Sequence, residues 1–299
     1  MKRVGVIANI RKKEVHAVLT AFFNCAQKTP FRYLVDKSIK QLFKTLPSCI
    51  DLVPETTLFS ECDLIVAFGG DGTILRTAHR IGDTQIPILG INMGGLGFLT
   101  AASVETATAN ITLFLAGKLN CEKRSLLQLS IKGETEVRYA LNDIVIDKAG
   151  LSRVIRIITL INGKLLNSYI ADGLIISTPT GSTAYSLANG GPIVIPSTPA
   201  FIINPICPHT LTNRPVVIAD TSIISFQVQS ELGKFSVFRD GVNDGNYQTE
   251  TILSIQKSDF YSYLVEVPEN DFFITLRNKL GWGEDFRNKY RWPGSQNPN

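Results

Sequence analysis

A single carboxylate stands among glycines at Gly69-Gly70-Asp71-Gly72-Thr73, directly after the apolar run at 64–68. A buried strand that empties into glycines and then a helix, expected here over 74–81, presents backbone N–H groups to a bound anion. A carboxylate beside phosphate oxygens repels them, so Asp71 reads as a group that handles a proton or a metal ion. One strand later comes a second glycine-rich loop, Asn92-Met93-Gly94-Gly95-Leu96-Gly97-Phe98-Leu99. A third segment places Asp172 before an apolar strand and the hydroxyl-dense loop Gly181-Ser182-Thr183-Ala184-Tyr185-Ser186 after it, closed by Asn189-Gly190-Gly191-Pro192. Such a loop offers many donors with little bulk and suits a sugar, a phosphate or an amide. Each segment taken alone also serves as a plain turn.

The elements that must position these groups change character along the chain. Strand-like runs at 4–10, 31–35, 64–68 and 87–91 alternate with helical patterns at 14–27, 38–45, 74–81 and 104–115. This rhythm implies an open parallel sheet with helices on its faces. Ligands bind such sheets at the carboxyl ends of the strands, where both glycine clusters fall. After about residue 120 the pattern is strands: 126–131, 137–147, 154–161, 164–170, 174–178, 218–229, 235–239, 251–257 and 262–267. Asn162-Gly163 is a type I′ hairpin signal, since both central positions need positive φ. Residues 272–280 read as strand or helix, and 294–299 as a polar tail. The expected organisation is a Rossmann-like α/β domain over 1–120 and a mostly β, β-sandwich-like domain over 121–269. Segment 270–299 is expected to pack back on the first domain.

Composition narrows the partners. A chain of 299 residues with 44% hydrophobic and 19% charged residues has the makeup of an ordinary globular protein. A net charge of +4 favours small anions mildly and is too weak for a nucleic-acid stripe. The tail mixes Arg277, Lys279, Arg287, Lys289 and Arg291 with Trp282, Tyr290 and Trp292, but Glu284 and Asp285 offset it, so no nucleic-acid partner is expected. Cys25, Cys49, Cys62, Cys121 and Cys207 form no C-x-x-C pair, which points to free thiols and a cytoplasmic location. No run approaches the roughly 20 apolar residues of a membrane span. Neither a Walker P-loop nor a Rossmann Gly-x-Gly-x-x-Gly is present. His16, His79 and His209 look isolated, and no metal-ligand cluster is visible.

Together, the first glycine motif and the Asp172-Gly173…Gly181-to-Ser186 segment resemble the NAD kinases, as does the loop from Asn92 to Leu99. The resemblance runs from Val4 to about Pro192, and the β-rich remainder agrees in class. It implies transfer of the terminal phosphoryl of ATP, or of polyphosphate, to the 2′-hydroxyl of the adenosine ribose of NAD, giving NADP. It makes Asp71 the base and gives Gly69, Gly70, Gly72 and Thr73 to phosphate. Asn142-Asp143 matches the Asn-Glu pair that binds the ribose and amide regions, with Asp143 one methylene shorter. Asp172 matches the acidic residue at the nicotinamide end. Thr183, Ala184, Tyr185 and Ser186, continued by Leu187 and Ala188, match the loop that contacts adenine and ribose. Arg153 matches a basic position near the phosphates, and Phe98 an aromatic near the adenine pocket. A divalent cation, Mg²⁺, is expected to arrive with ATP, and a homodimer or homotetramer is expected from the family. The chain departs from the pattern at Ile170, where bacterial members carry a polar residue. It departs again at Val242, which follows Asp240-Gly241 without the usual side-chain amide. Two rivals stay open. A lipid kinase of the diacylglycerol type shares Gly-Gly-Asp-Gly but has no reason to carry residues 181–186. A module that senses NADP without catalysis is the other.

Overall fold

Residues 1–95, 97–150, 153–268 and 271–282 are described by a computed structural model. The first third holds β1 (Arg3–Ala8), α1 (Val15–Ala26), β2 (Arg32–Asp36), β3 (Ile50–Val53), α2 (Glu55–Glu61), β4 (Leu64–Gly69), α3 (Asp71–Ile81), β5 (Ile88–Asn92) and α4 (Ala107–Leu115). Its strands run parallel in the order β5-β4-β1-β2-β3. β4 is buried along its whole length, which is why its sequence is continuously apolar rather than alternating.

The helix expected over 38–45 is instead a 3₁₀ turn, Lys37–Leu42, started by Asp36, whose carboxylate accepts from the Ser38 N–H at 2.8 Å. β3 and α2 were not expected. β3 is a four-residue strand at the sheet edge with every residue half-buried, too short for a period to register. Pro54, preset in φ, occupies the N-cap of α2.

The remainder comprises β6 (Cys121–Ile131), β7 (Arg138–Ala140), β8 (Asp143–Asp147), β9 (Ile155–Ile161), β10 (Lys164–Ala171), β11 (Gly173–Ser177), α5 (Tyr185–Ala188), β12 (Ala200–Ile206), β13 (Val216–Ala219), β14 (Ile224–Gln229), β15 (Lys234–Arg239), β16 (Val242–Gln248), β17 (Ile252–Val265) and α6 (Phe272–Leu280). The Asn162-Gly163 hairpin joins β9 to β10 with φ of 50° and 77°, as its sequence requires. Residues 272–280 resolve as helix. The expected polar tail at 294–299 lies outside the described residues.

Two expected strands turn out to be pairs of strands in different sheets. β7 and β8 replace the run at 137–147, and β13 and β14 replace the run at 218–229. One sheet, β13-β12-β11-β8-β15-β16, is antiparallel and packs on β6, β9, β14 and β17 through a shared core that includes Ile146, Ile157, Leu174, Phe201, Phe226, Phe235 and Leu253. The other carries on past β5: β17 pairs with it in parallel at Leu264–Ile88 and then with β6 and β14. A mostly β half in two layers thus adjoins the α/β half, the fold class expected.

Candidate active site

The first glycine cluster is the junction between β4 and α3, and Asp71 is the first residue of that helix. Its carboxylate closes onto the second glycine loop. Oδ2 accepts from the Phe98 N–H and Oδ1 from the Leu99 N–H, both at 3.0 Å. Gly97 makes this approach possible, because a Cβ there would lie 2.1 Å from Asp71 Oδ1. Gly70 and Gly72, by contrast, face open space, with nothing within 4 Å of a Cβ at either. The two loops seen in the sequence are therefore one structure, pinned by the carboxylate and open on the glycine side. Lys279 of α6 brings its ammonium to 3.8 Å from Asp71 Oδ2.

Two turns further along α3, His79 contacts a second carboxylate. Its Nε2 lies 2.6 Å from Oδ2 of Asp240, a side chain only 1% exposed. The same carboxylate accepts from the backbone N–H groups of Leu141 (2.8 Å), Asn142 (2.7 Å) and Asp143 (3.0 Å). These N–H groups belong to the break between β7 and β8. A buried break leaves donors that must find acceptors, and Asp240 supplies them from a left-handed backbone at φ 46°. Sequence reasoning treated His79 as isolated and gave Asp240 no role, because the partners are 161 residues apart. The pairing of Asp240 with Gly241 in a strand-rich stretch was the one available signal.

Around Asp240 opens a cleft of about 460 Å³ lined by Asn142, Asp143, Val145, Asp147, Ala184, Tyr185, Phe238 and Gly241. Asp143 is 4% exposed. Burial, and then the nearby Asp240 charge, push its carboxyl up to about 7, so near neutral pH it carries a proton in part of the molecules and can donate as well as accept. Tyr185 is 47% exposed at the rim, its phenol raised by burial and then by Asp147. Asp172 sits beside β11 and accepts from Lys148 Nζ at 2.8 Å, a partner the sequence had not shown. The apolar walls, a few convergent polar groups and this volume suit a nucleoside-sized guest.

The hydroxyl loop is packed against this wall. Thr178 Oγ1 donates to the Leu141 carbonyl at 2.6 Å, and a Cβ on Gly181 would meet the Asn142 carbonyl at 2.1 Å. Buried Arg124 of β6 donates to Thr180 Oγ1 at 3.3 Å and to Glu122 at 2.6 Å, fixing the loop from the far side.

Not every expected residue faces the cleft. Ser186 is fully buried, its oxygens turned to Asn204 Nδ2 and the Gly191 N–H, so its hydroxyl serves the loop's own closure. Thr183 Oγ1 donates back to the Thr180 carbonyl at 3.2 Å, Leu187 is half-buried, and Ala188 is exposed. Thr73 is buried against Gly69 and accepts from Arg76 at 3.4 Å, inside α3 rather than toward the open glycines. Arg153 is 70% exposed and paired with Glu231 on the surface, outside the lining of the cleft. Phe98 packs its ring against Phe272 of α6 at 6.3 Å between centroids.

A parallel sheet with a glycine-flanked carboxylate at one strand's carboxyl end, joined to a two-layer β half that carries a nucleoside-sized cleft, defines a phosphotransferase acting on nucleotides. Comparison with known proteins narrows this class. The profile of the ATP-NAD kinase N-terminal domain matches residues 4–119, and that of the ATP-NAD kinase C-terminal domain matches residues 141–267. NAD kinase of Cytophaga hutchinsonii is 39% identical over 269 residues, covering 88% of this chain and 91% of that protein. NAD kinase of Geotalea daltonii is 40% identical over 240 residues, covering 79% and 84%. Yeast NADH kinase, solved with NADH, superposes with a TM-score of 0.88 at 27% identity, over 96% of this chain and 89% of the other. An Archaeoglobus fulgidus NAD kinase solved with ATP superposes with a TM-score of 0.70 at 25% identity, over 93% and 97%. The chain belongs to the NAD kinase family.

Proposed function

We propose that Asp71 takes the proton from the 2′-hydroxyl of the adenosine ribose of NAD as the terminal phosphoryl of ATP arrives in line. The chain phosphorylates NAD to NADP, the activity of its family, with NAD and ATP as substrates. The observation that carries the role of Asp71 is its fixed geometry. Each carboxylate oxygen accepts one backbone N–H, which leaves a further lone pair on each for a hydroxyl proton. In the transfer the ribose oxygen bonds to the γ-phosphorus as the bond from that phosphorus to its bridging oxygen breaks. The electron pair leaves on ADP, and the proton passes to Asp71 and then to solvent.

The remaining assignments follow from the cleft. Asn142, Asp143, Ala184 and Tyr185 hold the dinucleotide, supported by their shared cleft; Asp172, outside that lining, is assigned to the nicotinamide end by the family resemblance alone. The backbone at Gly69, Gly70 and Gly72 receives phosphate, supported by the space beside Gly70 and Gly72 and by the helix start. The divalent cation enters on the triphosphate as part of the substrate, as phosphoryl transfer from ATP calls for charge neutralisation. Five unpaired cysteines support a cytoplasmic setting; among the described residues no helix is long and apolar enough to cross a membrane. The protein works as a homodimer or homotetramer.

The test is NADP formation followed in a coupled assay, with ATP and with polyphosphate as donor. Asp71→Asn is expected to lower kcat by about 10²–10⁴, the range of general base catalysis, with NAD affinity within about threefold. Near-normal turnover in that variant rules out its role as base.

A further inference from the structure

The face that α6 buries ends in a charge. Phe272, Thr275, Leu276 and Lys279 lie at the i, i+3, i+4, i+7 spacing of a core-facing stripe. Thr275 and Leu276 are buried. The lysine in the last position of this stripe, itself partly exposed, has two partners. Its ammonium lies 3.8 Å from Asp71 Oδ2 and 4.7 Å from the centroid of the Phe98 ring. Phe272, two turns earlier on the same face, packs against the same ring. Phe98 in turn supplies one of the two N–H groups that hold Asp71. Lys279 directly, and Phe272 through Phe98, thus bear on one carboxylate. The helix is itself fixed at both ends, by Asp271 accepting from the Ile274 N–H at 2.7 Å and by Gly281 in a left-handed conformation at φ 64°.

We infer that Lys279 is a positioning residue for phosphoryl transfer, acting through Asp71. The inference rests on the proposed role of Asp71. A carboxylate that must meet a triphosphate faces strong like-charge repulsion in a partly water-excluded site. A cation held beside it offsets that repulsion as the donor arrives. It also keeps the carboxylate from swinging away once the donor is bound. At 31% exposure for both side chains, the pair is sheltered enough for its charge to be felt and open enough to admit substrate. The chain delivers this charge from its far end, so completing the site requires α6 to be docked.

Two variants separate charge from packing. Lys279→Met keeps an unbranched stem over Phe98 and removes the charge; Lys279→Arg keeps the charge. Both are compared with wild type for melting temperature, kcat and the KM values for ATP and NAD. Expected are a kcat lower by 10-fold or more for Lys279→Met, a KM for NAD within about twofold, and recovery to within about threefold of the wild-type kcat in Lys279→Arg, with the three melting temperatures agreeing. A Lys279→Met enzyme with wild-type kcat overturns the proposal and leaves Asp71 as base untouched. Equal loss in Met and Arg variants overturns it as well, since charge would then not be what matters. If the wild-type protein, or the Asp71→Asn variant, behaves against the reading above, that reading falls and this one with it.

Discussion

The Asp143 carboxyl gives the protein a pH-dependent contribution to stability. Its pKa is raised from 3.8 to about 7, first by burial and then by the charge of Asp240. A carboxyl raised on folding binds more protons folded than unfolded. Its contribution to stability is complete below about pH 4 and is lost as pH rises through 7. At about 1.4 kcal/mol per unit, and allowing for relaxation of the cleft, the loss across this window is roughly 2–4 kcal/mol. Asp143→Asn is expected to abolish that dependence. Urea midpoints taken at pH 5, 6, 7 and 8 should fall with pH for the wild type more than for the variant; parallel curves would contradict the assignment. Asp71 and Asp172 were legible because glycines or an apolar strand flank them in sequence. Asp240 and His79 were not, since what makes them matter is a contact across 161 positions.

At the scale of elements, Gly97 and Gly70, one in each glycine loop, make opposite demands on a side chain. A methyl at Gly97 would sit 2.1 Å from Asp71 Oδ1, closer than any real contact, so the carboxylate must shift. Displacement of a reacting group by about 1 Å costs on the order of 100-fold in rate, and Gly97→Ala is expected to lose kcat on that scale. At Gly70 the backbone is extended (φ −122°) and a methyl meets nothing. Gly70→Ala should therefore melt within about 2 °C of wild type, as surface changes of a few tenths of a kcal/mol do, while its KM for ATP rises. A Gly70→Ala enzyme with unchanged kinetics would show that the open space beside it is not where phosphate binds. The β4–α3 junction and the Asn162-Gly163 hairpin could be read directly, because local backbone requirements fix both. The split of 137–147 into β7 and β8 could not. Asn142-Asp143 reads there as a polar pair inside one continuous strand, and the three N–H bonds to Asp240 reveal where the chain changes sheets.

The whole molecule is tied together by β17. This 14-residue strand pairs with β14 and β6 in the β half and with β5 in the α/β half. A second tie runs through His79 and Asp240, and a third through α6, whose Phe272 and Lys279 reach the loop after β5. With ladder, hydrogen bond and helix all crossing between the halves, neither half opens without exposing part of the other's core. Calorimetry and circular dichroism are expected to report one coincident unfolding transition, raised by NADP through mass action. Two resolved transitions would mean that the halves are energetically separate.

What the sequence by itself determined is the chemistry carried by local pattern. A strand emptying into glycines around one carboxylate, a hydroxyl loop after a buried strand, and a change from β-α rhythm to strands are readable because short-range backbone geometry enforces them. Only the tertiary structure decided which groups meet: Asp71 with the second glycine loop and with Lys279, Asp240 with His79 and the β7–β8 break, and Arg153 with the surface. Those pairings depend on distance in space, and buried donors and charges accept whichever partner the packed core brings near, however far apart the two stand along the chain.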